Sequence, residues 1–92
     1  MADELKLVRQ RAEGQKALRL WEDEMIQGFF TAVENEIRDG WKDSLGGEQD
    51  LREQQYLMFR LQQRLKQCFK TYMATGKLAA RELYEIEEKR KR

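Results

Sequence analysis

The apolar positions of this chain recur at helical intervals over two long stretches. In the first, Leu18, Trp21, Met25, Phe29 and Ala32 follow one another three or four residues apart, and Ile26, Phe30, Val33 and Ile37 form an adjoining row. Such intervals return to the same side of an α-helix, so the two rows make one broad apolar face. The spacing predicts a helix over residues 15–39. Upstream, Leu5, Val8 and Ala12 are a thin stripe among charges, and residues 1–14 are expected to form a weak N-terminal helix or a frayed arm.

In the second stretch Leu51, Gln54, Met58, Leu61, Leu65, Cys68 and Tyr72 alternate three and four apart, with Leu57 and Phe59 beside them. This is a heptad seam, which predicts a helix over residues 50–75. Asp50, three residues before Glu53, reads as an N-cap whose carboxylate accepts from a free backbone N–H. Between the two stretches, residues 40–49 collect Gly40, Gly46 and Gly47 with Asp and Ser, which is turn chemistry. Gly76 is expected to end or bend the second helix, because a residue without Cβ readily takes a left-handed C-cap. Leu78, Ala79, Leu83 and Ile86 then predict a short third helix over residues 77–88, followed by a basic tail at 89–92. The fold class is therefore all-α: an antiparallel helical hairpin with a short third helix, in one domain. Leu61 sits in mid-seam, so Leu61→Asp is expected to abolish cooperative unfolding by placing a charge in the core.

Composition agrees with long helices. Ala, Glu, Lys, Arg and Leu make up 48 of the 92 residues and there is no proline, close to the share found in coiled coils. A chain this short buries too little apolar surface to be comfortable alone. Self-association into a helical bundle, most simply a two-fold dimer with four long helices, is the expected remedy. The net charge of +1 conceals an asymmetry: residues 22–50 hold nine acidic and two basic groups, whereas residues 51–77 hold six basic groups and one acidic. Opposite fields of this kind favour antiparallel pairing of the two halves. No apolar run reaches the length of a membrane span or of a secretory signal, and Cys68 is the only cysteine. The expected location is the cytoplasm, with no membrane partner.

The chain has no histidine, which removes the commonest general base, the commonest zinc ligand and the Ser-His and Cys-His nucleophile pairs. Gly76-Lys77 is followed by Leu78 and no glycine stands five residues earlier, so no phosphate loop is present. Asp39, Asp43 and Asp50 fall at positions 1, 5 and 12 of a calcium-loop window. Trp41 and Ser44 occupy the places of an oxygen ligand and the turn glycine, so the window is read as a plain turn. A non-catalytic protein without cofactor or metal is expected. Among the aromatics, Trp41 in the polar turn, and Phe59 and Phe69 off the main seam, are the candidate contacts for another protein. Cys68, a seam position, is expected to be a buried small hydrophobe.

The segment running from Asp50-Leu51-Arg52-Glu53 to Met73-Ala74-Thr75-Gly76-Lys77-Leu78-Ala79 resembles small helical proteins of tailed phages and prophages. These show a tryptophan-containing turn, a charged helix start, a long Leu/Gln/Lys helix and a TGK-apolar-Ala ending. The resemblance covers about residues 40–80. It implies an oligomeric adaptor in genome packaging, head assembly or a similar accessory role, acting in a host cytoplasm, and it carries no catalytic residues with it.

The leading expectation is thus a protein-interaction or assembly module. A rival expectation is a nucleic-acid-binding component, for example of DNA packaging, whose phosphate contacts would be Arg52, Arg60, Arg64, Lys66, Lys70 and Lys77. A third is an inhibitor of a host protein that uses the acidic stretch 22–50 as a phosphate mimic.

Overall fold

The structure, a computed structural model, describes residues 2–43 and 49–91. It contains three helices, α1 (Ala2–Glu22), α2 (Glu24–Asp43) and α3 (Gln49–Arg90), and no strand among the described residues. The all-α class holds. The helices form two compact units: Met1–Trp21 with Cys68–Arg92, and Glu22–Gln67. The long helix α3 therefore contributes its second part to the first unit and its first part to the second.

In the first unit α1 runs antiparallel to α3. Glu4 pairs with Arg90 near one end, Gly14 meets Gly76 in the middle, and Trp21 packs on Phe69 near the other end with ring centroids 5.5 Å apart. Of the two outcomes expected from its thin stripe, a weak helix or a frayed arm, the N-terminal stretch takes the helix and continues to Glu22. What holds it is small residues instead of large ones. Gly14, Ala17, Gly76 and Ala79 are all buried, and their lack of bulk brings the two backbones together.

Gly76 accordingly does not end a helix. α3 passes through it without interruption, and residues expected to form a separate short helix are its continuation. A Cβ built on Gly76 would lie 2.6 Å from the Cα of Gly14, far inside ordinary contact. The glycine is there for the approach of a neighbouring backbone, a use of the residue distinct from C-capping.

The second unit pairs α2, antiparallel again, with the first part of α3. The apolar pattern predicts one helix through residue 23, but Asp23 interrupts it as an N-cap: its Oδ1 accepts from the N–H groups of Met25 at 2.8 Å and Ile26 at 3.2 Å. Its own carbonyl accepts from Gln27 N–H at 3.0 Å, so the new helix starts with its first donors satisfied. α2 continues through Asp43, which puts Gly40 and Trp41 on a helix and not in the turn expected over 40–49. The remainder of that turn, residues 44–48, lies outside the described residues. Asp50, expected as an N-cap, falls within the first turn of α3, where a negative charge also suits the helix dipole.

The core is small. Among the described residues Ala17, Phe30, Ile37 and Ala79 are the buried apolar ones, and Gln62 is buried with them at 5% exposure. The expected α3 seam is not the line that packs. Leu61 is 68% exposed, Leu65, Tyr72 and Met58 are exposed as well, and so is Cys68. The buried or half-buried line on α3 runs instead through Gln55, Gln62, Lys66, Phe69, Met73, Gly76, Ala79 and Leu83. It lies about one residue step, or ~100°, round the helix from the leucines. Leu61 is therefore outside the core, contrary to the reading that made Leu61→Asp a test of folding. On α2 the same shift appears: Ile26, Phe30, Val33 and Ile37 face inward, while Met25, Phe29 and Ala32 stay exposed.

Candidate interaction surfaces

One side of the second unit is a groove of about 690 Å³. Its α2 wall carries Glu34, Ile37, Arg38, Trp41 and Lys42, and its α3 wall carries Tyr56, Phe59 and Gln63. Gln55 and Gln62 also line it. Trp41 and Phe59, two of the three aromatics singled out in the sequence, are brought together here, each 46% exposed.

The wall is fixed from below. The buried Gln62 amide donates to the carbonyl oxygen of Phe30 at 3.1 Å and to Glu34 Oε1 at 3.2 Å. Glu34 Oε1 also takes a hydrogen bond from Lys66 Nζ, whose ammonium stands 5.6 Å from the centre of the Phe30 ring. One carboxylate thus gathers two donors from α3, and a cation–π contact holds the lysine over the aromatic core. Gln55 packs its amide against Gly40. A Cβ at that position would come within 2.4 Å of the amide carbon and nitrogen, so the glycine makes room for the glutamine. The Oε1 atoms of Gln55 and Gln62 are buried and meet no donor from the protein.

The third aromatic candidate lies elsewhere. Phe69 is half-buried in the first unit, tilted 48° against Trp21. It packs α3 against α1 through Trp21. The row of α3 that sequence reasoning treated as core is what remains outside: Leu57 at 65%, Leu61 at 68% and Leu65 at 51% exposure. Met25 and Phe29 on α2 are equally open, at 68% and 58%. The signal for this second surface was present in the heptad spacing, but spacing alone does not distinguish contacts within a chain from contacts between chains.

The six candidate phosphate contacts do not behave as one group. Lys66 is drawn onto Glu34 and Phe30. Arg60 lies over the Tyr56 ring at 5.9 Å and donates to its hydroxyl at 3.2 Å. Arg52, Arg64, Lys70 and Lys77 are exposed along α3. No group of three or more metal-ligating side chains gathers among the described residues, and among them no helix is long and apolar enough to cross a membrane. The chain matches no known protein family, and neither a characterised protein nor a solved structure is similar to it.

Proposed function

We propose that this protein is a non-catalytic helical assembly module, which associates with itself and through the same kind of contact with other proteins. The observation that supports this reading best is the placement of its large apolar side chains. Leu57, Leu61 and Leu65 form a regular row that is more than half exposed, while among the described residues the large apolar side chains that are fully buried are Phe30 and Ile37. Exposed apolar rows on helices are surfaces that other helices cover. The Trp41–Phe59 groove adds aromatic side chains of the kind that anchor protein contacts. An adaptor of the type the phage-protein resemblance implies would work in this way.

The rival reading needs an open basic face. Lys66 and Arg60 are each engaged by neighbours within the chain, which favours the assembly reading. Sedimentation equilibrium at micromolar concentrations tests it. The expected result is a reversible oligomer, a dimer in the simplest case, with its weight-average mass rising with concentration. A strictly monomeric, fully folded chain across that range would overturn it.

A further inference from the structure

We propose that a second copy of this chain docks on the face formed by Met25, Phe29, Leu57, Leu61 and Leu65, with the two-fold axis parallel to the helices, so that α2 of each copy lies on α3 of the other. The proposal rests on the reading of the protein as a self-assembling module and adds which surface is used and in which orientation.

These five residues form one surface because of how antiparallel helices turn. The groove is lined by Arg38, Tyr56 and Gln63, which immediately follow the inward-facing Ile37, Gln55 and Gln62. One step forward on either helix, about 100° of rotation, therefore leads to the same side of the pair. One step backward leads to the opposite side. Met25, Phe29, Leu61 and Leu65 immediately precede the inward-facing Ile26, Phe30, Gln62 and Lys66, and Leu57 is one turn from Leu61. Phe29 and Leu61 sit level with one another, since Gln62 bonds to the Phe30 carbonyl. The result is an apolar plateau across both helices, on the side away from the groove.

Charge selects the copy and its orientation. α2 carries five acidic and two basic residues, and residues 49–67 of α3 carry two acidic and four basic ones. With the axis parallel to the helices, the acidic helix of one copy covers the basic helix of the other, twice. An axis across the helices would stack acid on acid and base on base. Arg64 borders the plateau on α3.

The test is sedimentation equilibrium of the full chain and its variants, with circular dichroism to confirm helix content. Leu61→Lys is expected to weaken the dimer about tenfold or more, since it removes a leucine from the interface. Tyr56→Lys, on the groove side, should leave it intact. Arg64→Glu is expected to weaken it about two- to fivefold, because it sets an acid against the acidic α2 of the other copy. A monomeric unsubstituted chain overturns both this proposal and the assembly reading. An oligomer indifferent to Leu61→Lys overturns the proposed face and leaves the assembly reading standing. A dimer tightened by Arg64→Glu, or one of this chain with an unrelated helix in preference to itself, overturns the orientation or the occupant respectively.

Discussion

Gly14 and Gly28 are both mid-helix glycines, yet Ala at the two positions should have opposite effects. In an open helix the change gains about 0.5–1 kcal/mol, because alanine loses less backbone freedom on folding. Gly28 is such a site, with nothing within 4 Å of the added Cβ. At Gly14 the Cβ would lie 2.6 Å from the Cα of Gly76 and 2.9 Å from the carbonyl oxygen of Tyr72. Ordinary contact is about 3.5–4.0 Å, so α1 and α3 would have to separate by about 1 Å. Both obstacles are backbone atoms and neither can rotate away. Overpacking of this kind costs about 1–3 kcal/mol, and the separation also loosens Ala17 and Ala79, which are 9% and 1% exposed. After the helix-propensity gain is subtracted, Gly14→Ala should destabilise by about 1–2 kcal/mol. For a chain of this size that lowers the melting temperature by roughly 5–15 °C, while Gly28→Ala raises it by a few degrees. Thermal melts followed at 222 nm, the α-helical band, at one protein concentration, measure both. If Gly14→Ala melts at or above the unsubstituted protein, the glycine contact does not hold α1 on α3.

Three further outcomes follow from single contacts. Asp23→Ala should cost about 1 kcal/mol by leaving the first donors of α2 without their acceptor, and Asp23→Asn much less, since asparagine caps equally well; equal melting of the two would remove Asp23 from that role. Gln62→Leu should lower stability by about 1 kcal/mol, because the bonds its amide donates to the Phe30 carbonyl and to Glu34 are lost; an unchanged or higher melting temperature would mean that those bonds do not hold α2 on α3. Trp21→Ala and Phe69→Ala should each destabilise, and their double-mutant cycle should show a coupling of about 0.5–1.5 kcal/mol; strict additivity would mean that the rings do not interact.

The helices themselves were legible in the sequence because large apolar residues at intervals of three and four mark helix formation wherever they eventually pack. Which side turns inward was not. On α3 the eye follows Leu61 and Leu65, but the chain buries Gln62, Gly76 and Ala79, residues of low hydrophobicity whose value lies in reach or in small size. The helix break at Asp23 hid inside an acidic run, Glu22-Asp23-Glu24, whose middle residue caps while its neighbours do not. Gly76 was visible as a special position, but a glycine that admits a backbone and one that ends a helix look identical in sequence. Trp41 and Phe59 were marked as surface aromatics, and they meet because Ile37, Gln55 and Gln62 fix the groove between them. Phe69 was marked by the same reasoning. Its partner, Trp21, lies 48 positions away along the chain, a pairing that no local pattern encodes.

The two units divide the work of the chain along α3. In the first, glycines and alanines bring the helices so close that backbone contact, an aromatic pair and the Glu4–Arg90 ion pair complete the packing. In the second, a buried glutamine and a shared carboxylate fasten α2 to α3 while the leucines point away. On the assembly proposed above, folding and association draw on different rows of one helix, one residue apart. A substitution in the inner row, such as Gly76→Ala, should act on melting at any protein concentration. One in the outer row, such as Leu61→Lys, should act mainly by abolishing the dependence of melting on concentration, because what it removes is stabilisation by mass action. Measuring both variants over a range of concentrations separates the two roles, and identical concentration dependence would mean that the rows are not distinct.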